Sequence, residues 1–120
     1  MNLENPDEYK NMVKELAKPG GDIVNDLNPG LAHLLHMAVG IASEAGEFLD
    51  AVKKGAIYKK ELDYKNLIEE LGDLEFYLEG ARQGLSLSRN EVLLANKFKL
   101  EQRYPDKKYT NEDAQTRKDK

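Results

Sequence analysis

Apolar side chains recur along this chain every three or four residues, which is the period of an α-helix that buries one face. No stretch alternates polar and apolar residues as a half-buried strand would. The sequence therefore predicts an all-α fold of the helix-bundle type with short connections. The two longest apolar stripes are Leu34, Ala38, Ile41, Ala45, Phe48 and Val52, followed by Leu67, Leu71, Leu74, Leu78 and Ala81.

Capping and breaking residues divide the chain into four predicted helices. We expect them at about 7–18, 31–54, 63–83 and 89–104, with a loop over 22–30. Asp63 is a candidate N-cap, Ser88 and Glu91 fit a capping box, and Gly55 is a candidate C-cap. These bounds predict one helical domain over 1–105 and a polar tail over 106–120, which we expect to be partly extended or disordered.

Composition limits the function classes. The 120 residues carry a net charge of -4, which argues against non-specific binding to nucleic acid. There is no cysteine, hence no thiolate metal site or cysteine nucleophile, and this fits a cytoplasmic setting. No apolar run approaches the roughly 18 residues of a membrane span, and the polar N-terminus does not resemble a signal peptide. We therefore expect no nucleic-acid or membrane partner.

The two longest predicted helices carry apolar residues outside their main apolar stripes. A single short chain has few other helices that could bury these additional side chains. They therefore predict a homo-oligomer, a homodimer or a homotetramer. The additional residues are Leu35, Met37, Leu49, Ile68, Phe76 and Tyr77.

Two acidic pairs, Glu44-x-x-Glu47 and Glu70-x-x-Asp73, lie on these same helices. Residues three apart share a helix face, so each pair directs two carboxylates the same way. An antiparallel hairpin of the two helices would bring all four together, where they need a cation. Oxygen ligands of this kind suit Mg2+ or Mn2+, and such ions commonly serve phosphate chemistry.

A simpler interpretation of the acidic pairs is a solvated helix face, because glutamate is a good helix former and is common on surfaces. Position favours the metal site, since the pairs flank the apolar stripes. Gly46 and Gly72 accompany them, although a helical glycine costs roughly 1 kcal/mol relative to alanine. We expect that these glycines allow a ligand or a neighbouring helix to approach closely.

Three sequence blocks in order resemble the MazG-like family of all-α nucleoside triphosphate pyrophosphohydrolases. They read GIASEAGEFLDAVKK, EELGDLEFYL and ANKFKLEQRYP, and they correspond to that family's E-x-x-E, E-x-x-D and N-x-x-K-L-x-x-R-Y elements. The similarity covers roughly residues 31–105 and is strongest to small stand-alone versions from phage and bacteria. It implies a four-helix-bundle-type fold completed by oligomerisation. One departure is Phe76, which stands where the family often has tryptophan.

The resemblance implies that Glu44, Glu47, Glu70 and Asp73 bind Mg2+, with Mn2+ as the other candidate. It also implies hydrolysis of a nucleoside triphosphate between its α and β phosphates, giving the monophosphate and pyrophosphate. We assign Glu47 as the catalytic residue that takes the proton of the attacking water.

A second group of residues is predicted to bind the substrate. Helical spacing places Asn96, Lys99 and Arg103 on one face, where the two cations would hold phosphate oxygens and Asn96 a sugar or base. The alternative for these cations is pairing with surface glutamates. The remaining candidates, each with an ordinary structural alternative as a helix-end or core residue, are Lys53, Lys54, His36 and Tyr77.

The sequence thus predicts a Mg2+-dependent nucleotide pyrophosphohydrolase that serves nucleotide-pool housekeeping. One alternative is a related specificity for dUTP, dCTP or phosphoribosyl-ATP. Another is a non-enzymatic helical interaction protein that binds metal structurally or not at all. Nucleobase and sugar preference stay open.

Overall fold

A computed structural model describes residues 4–120. The chain divides into two compact units, Met1–Ala32 and His33–Lys120. The division of the chain into a domain over 1–105 and a tail stays a prediction. The described residues contain no strand, and the expected all-α fold is confirmed. Their six helices are α1 (Pro6–Leu16), α2 (Gly20–Asp26), α3 (Pro29–Ala56), α4 (Tyr64–Gly84), α5 (Arg89–Arg103) and α6 (Asn111–Thr116).

Side-chain caps explain where the helices of the first unit and the long helix α3 begin. The Asn5 side chain accepts a hydrogen bond from the Asp7 N–H at 3.2 Å, and Asn28 accepts one from the Leu31 N–H at 2.9 Å. Between these caps, the loop expected over 22–30 is wrong in its first part, which is α2. The seven-residue helix forms because the Pro19 carbonyl accepts from the N–H groups of Asp22 and Ile23, so a helical turn starts there despite the two glycines.

The predicted starts of α4 and α5 are confirmed. The Asp63 carboxylate accepts from the Asn66 N–H at 3.1 Å. Ser88 and Glu91 form a complete capping box, with both reciprocal hydrogen bonds at 3.1 Å. Both caps satisfy backbone donors that have no partner inside the helix, so each fixes a helix start from local sequence alone.

Helices α3 and α4 pack antiparallel as a hairpin. His33 lies against Gly84, Met37 against Gly80, and Gly40 against the Tyr77 ring. Residues later in α3 therefore contact residues earlier in α4. The same antiparallel register places Glu44 beside Glu70 and Asp73. The hairpin predicted for the acidic pairs is therefore the arrangement that the chain adopts.

Gly55 does not cap α3, contrary to expectation. The helix continues to Ala56, and the Leu62 side chain packs where a Cβ on Gly55 would lie. The missing side chain thus serves packing between the helix end and the following connector. The chain leaves the helix after Ala56, and the Lys60 N–H donates to the Lys54 carbonyl at 3.2 Å.

The expectation of a partly extended or disordered tail is wrong for residues 111–116, which form α6. The Thr110 hydroxyl accepts from the Asp113 N–H at 3.0 Å and caps the helix. Glu112 and Asp113 add negative charge to its first turn, where the helix dipole favours anions.

Few side chains of the described residues are fully buried. Met37 is 6% exposed and Ala51 is 9% exposed, and they are the buried hydrophobic core among residues 4–120. No helix in the described part of the chain has the length and apolar character that crossing a membrane requires.

Candidate metal centre

Three carboxylates from two helices meet at the acidic end of the α3–α4 hairpin. One oxygen each from Glu44, Glu70 and Asp73 lies within 4.8 Å of the other two. Glu44 and Glu70 are half-buried, whereas Asp73 is exposed. The site is therefore open on one side, as a site that admits a ligand to a bound ion must be.

The electrostatics of this cluster are unfavourable without a cation. Partial removal from water raises the pKa of Glu70 most, and a hydrogen bond shared with Glu44 raises this pKa further. The negative charges of Glu44, Glu47 and Asp73 act in the same direction. A bound divalent cation would reverse these effects, because it stabilises every ionised carboxylate around it.

The spacing of the oxygens suits a Mg2+-sized ion. Oxygens that share one octahedral Mg2+ lie about 3–4.2 Å apart, since each is about 2.1 Å from the ion. The three oxygens lie within 4.8 Å of one another, which is compatible with this spacing. An all-oxygen donor set also favours Mg2+ or Mn2+ over softer metals.

Glu47, the fourth predicted ligand, does not belong to this group of three oxygens. It is exposed one turn along α3 from Glu44, and its charge still raises the pKa of Glu70. Its assignment as a ligand and as the catalytic base stays a prediction. A nearby carboxylate outside the cluster is free to accept a proton, which a fully engaged ligand is not.

His36 and Tyr77, two predicted substrate residues, meet next to the cluster. Their ring centroids are 6.1 Å apart in an edge-to-face contact, and the Tyr77 ring also covers Gly40. Phe76 meets Tyr77 at 5.2 Å and 90°. Tyr77 lies one helical turn after Asp73 on α4, and its role in binding the nucleoside stays a prediction.

Lys53 and Lys54 lie at the C-terminal end of α3. The Lys53 ammonium is 5.5 Å from the centre of the Tyr58 ring, and Lys54 pairs with Asp50 at 3.4 Å. Both side chains are exposed. Exposed contacts of this kind contribute little stability and exchange readily, so these cations remain accessible to phosphate.

The three candidates on α5 have different surroundings. Asn96 lines a cavity of about 360 Å³ together with Leu100, Tyr104 and Tyr109. Lys99 is exposed. Arg103 is held by Asp119 through two hydrogen bonds and is not a free surface cation. Their role in substrate binding stays a prediction.

A known protein family matches the region that contains this site. The family model for the MazG nucleotide pyrophosphohydrolase domain matches residues 33–107, more than half of the chain. The chain belongs to the MazG family. The match begins where the second compact unit begins, and it includes the whole α3–α4 acidic site and α5. A search of curated proteins and a search of solved structures each gave no match.

Membership in the MazG family confirms the resemblance found from the three sequence blocks. The family is one of nucleotide pyrophosphohydrolases, which hydrolyse phosphoric anhydrides. All four acidic residues lie inside the matched region, and three of them form the cluster seen in the structure.

Three interactions of the α3–α4 hairpin were not predicted from the sequence. His33 Nε2 lies 3.0 Å from the Gly80 carbonyl and links the two helices of the hairpin. Arg82 binds both Glu75 and Glu79, at 2.8 and 2.9 Å. Glu75, Glu79 and Arg82 are spaced so that they share one face of α4, so the sequence could have predicted their ion pairs. The contact of His33 with Gly80 could not be predicted in this way, because it depends on how α3 packs against α4.

Proposed function

We propose that this chain is a Mg2+-dependent nucleotide pyrophosphohydrolase that cleaves a (d)NTP to the (d)NMP and pyrophosphate. The observation that carries the proposal is the cluster of Glu44, Glu70 and Asp73 inside the region matched by the MazG family. Nucleotide-pool housekeeping in the cytoplasm is the role that we propose for this activity.

Each residue has a definite task in this proposal. Glu44, Glu70 and Asp73 hold the ion, and Glu47 completes the set or takes a proton from the attacking water. When bound, Mg2+ offsets the charge of the phosphate oxygens and makes a nearby water more acidic. Tyr77 and His36 orient the nucleoside, while Lys53, Lys54 and Lys99 are available for its phosphates and Asn96 for its polar edges. Arg103 contributes to phosphate binding when its ion pair with Asp119 opens.

The decisive test is pyrophosphate release from a panel of canonical and modified NTPs and dNTPs, including dUTP and dCTP, in Mg2+ and in EDTA. We expect release from some members in Mg2+ and none in EDTA. Phosphoribosyl-ATP belongs in the same panel. The panel also reveals base and sugar preference. A well-folded sample that releases nothing from any member would favour the interaction-protein alternative.

Two adjacent glutamates provide a matched pair of variants. Glu70→Gln removes a cluster carboxylate, and we expect activity to fall on the order of 100-fold or more. Glu69→Gln makes the same chemical change at the neighbouring exposed position, which lies outside the cluster, and we expect nearly full activity. Equal losses in both variants would contradict the assignment of the site.

We also propose that the active form is a homodimer or a dimer of dimers. Supporting this, large apolar side chains on α3 and α4 are exposed although the described residues bury few hydrophobic groups. Phe76, 68% exposed, borders a groove of about 640 Å³ together with Met37 and Gly80. Further exposed residues on these helices are Leu35, Val39, Leu49, Ile68 and Leu71.

Exposed apolar surface on this scale is typical of an interface between subunits. Sedimentation equilibrium tests the proposal directly, because one chain has a mass of 13.6 kDa. We expect a mass of two or four chains at micromolar concentration. A monomer that is fully active would refute the proposed oligomer.

A further inference from the structure

The C-terminal segment returns to the end of α5 and covers Arg103. The Arg103 Nε–H donates to one carboxylate oxygen of Asp119 at 2.9 Å, and an Nη2–H donates to the other at 3.2 Å. The Asp119 side chain is only 2% exposed and that of Arg103 is 17% exposed. This two-point geometry is also the one by which arginine binds phosphate oxygens.

A second guanidinium, that of Arg117, faces the same carboxylate without reaching it. Its Nε lies 3.7 Å from the Asp119 oxygen, which is beyond hydrogen-bond distance. This Nε is buried and has no hydrogen-bond partner among the described residues. A buried donor of this kind is unusual, because leaving it unpaired disfavours the folded arrangement.

The mismatch lies in the reach of the acceptor atoms. A carboxylate offers two oxygens in one plane; each accepts from Arg103 and still has a free lone pair, but the Arg117 Nε lies 3.7 Å away and makes no hydrogen bond with it. A phosphate group offers at least three oxygens arranged tetrahedrally, so it can occupy both donors of Arg103 and still reach Arg117. The two arginines thus fit a phosphate group better than they fit the residue between them.

We propose that Arg103 and Arg117 form a binding site for a phosphate or pyrophosphate group, which Asp119 closes until the anion displaces it. This inference rests on the proposed function for the identity of the anion, namely the phosphates of the nucleotide or the pyrophosphate product. The tail is then an internal competitor that limits how tightly such anions bind.

The local backbone is consistent with a closed state that can open. Arg117 adopts the left-handed conformation at φ 55°, and so does Lys107 at φ 59° in the turn that precedes α6. Both are residues with a Cβ, for which this conformation is disfavoured. Lys118, paired with Asp113 at 3.7 Å, is the other cation nearby.

The experiment is calorimetric titration of the full chain with inorganic pyrophosphate in EDTA, so that no turnover or metal binding contributes. Asp119→Asn removes the competing charge and keeps the shape of the side chain. We expect it to bind pyrophosphate on the order of tenfold more tightly, as loss of a charge-assisted competitor implies. Adding Arg117→Gln to Asp119→Asn should reverse the gain.

Asp106→Asn is the matched control, because it removes the same charge from an exposed position in the tail. Circular dichroism confirms that each variant keeps its helices. Tighter binding by Asp119→Asn but not by Asp106→Asn supports the site. Equal effects of the two substitutions, weaker binding by Asp119→Asn, or no binding in any variant would overturn it. Hydrolysis by the unmodified chain is assayed separately, so failure of the proposed function and failure of this site are distinguishable.

Discussion

Gly40 offers a quantitative test of how closely α3 and α4 pack beside the candidate site. A Cβ placed on Gly40 would lie closer than 3.0 Å to three carbons of the Tyr77 ring, whereas carbon atoms in proteins normally stay about 3.5–4 Å apart. The ring would have to move by at least about 1 Å to restore ordinary contact. It is held by edge-to-face contacts with His36 and Phe76, so it has little freedom to do so.

Two opposing terms determine the stability of Gly40→Ala. Replacing a helical glycine by alanine stabilises by roughly 1 kcal/mol, while overpacking costs about 1–3 kcal/mol. Gly46→Ala on the same helix is the control, because beyond the adjacent residues and backbone of its own helix no described atom lies within 4 Å of its Cβ position. The propensity gain is common to both variants. The difference between them is therefore the overpacking term alone, and we expect Gly40→Ala to be less stable by about 1–3 kcal/mol.

Urea unfolding followed by circular dichroism measures this difference through the midpoint at constant slope. We expect the two midpoints to fall on opposite sides of the unmodified chain, or Gly40→Ala to remain near it while Gly46→Ala rises. Equal free energies of unfolding for the two variants would refute the close contact between Gly40 and Tyr77. The antiparallel register inferred from that contact would then be wrong as well.

Two further predictions concern the helix starts and the tail. Ser88→Ala removes one half of the capping box, and we expect a loss of about 1 kcal/mol in the free energy of unfolding, measured in urea; no loss would mean that the cap does not hold α5. The pKa of Asp119 is lowered from 3.8 to about 2, chiefly by its hydrogen bonds with Arg103. Because the folded pKa is the lower one, the stabilisation is present above about pH 4 and is lost as the pH falls towards 2. The protection factors of the α6 amides, which correct for the intrinsic pH dependence of exchange, should therefore fall over this range before those of α5. Uniform protection in both helices at pH 2 would contradict it.

Local sequence predicted those parts of the fold that local interactions determine. Asp63 and the Ser88–Glu91 pair mark helix starts because a side chain bonds to a backbone group three residues away. The acidic cluster was also predictable, since helical spacing and a hairpin suffice to bring Glu44 near Glu70.

Features that depend on distant contacts were not predictable in the same way. Gly55 resembles a C-cap in sequence, and only the position of Leu62 shows that it serves packing. The charged tail resembles a disordered segment, but Asp119 is buried against Arg103, sixteen residues earlier in the chain. Ion pairs at such separations leave no periodic signal, because any surface cation could have been the partner.

The acidic residues of this one chain provide an internal comparison that separates a metal site from a decorated surface. Glu79 and Glu101 behave as ordinary surface acids, because Arg82 and Lys97 lower the pKa of each. Glu70 has the opposite environment: other carboxylates surround it and its pKa is raised. Among the described residues, Glu79 and Glu101 have cationic partners, whereas Glu44, Glu70 and Asp73 form a group with no ion pair to a cation. This is a local conflict of the kind expected at functional sites.

Because Glu70 and Glu79 have opposite environments, Glu70→Gln and Glu79→Gln should change the free energy of unfolding in opposite directions. Near neutral pH and without divalent metal, Glu70→Gln should raise the free energy of unfolding, because it removes repulsion between the carboxylates of the cluster. Glu79→Gln should lower it, since it removes a carboxylate that Arg82 stabilises. Adding Mg2+ should stabilise the unmodified chain and have a much smaller effect on Glu70→Gln, because an ion that binds the folded state shifts the equilibrium in its favour. Thermal melts with EDTA and with Mg2+ measure all three effects. A Glu70→Gln variant that is destabilised in EDTA, or that gains as much from Mg2+ as the unmodified chain does, would show that the cluster is not the site at which the metal binds.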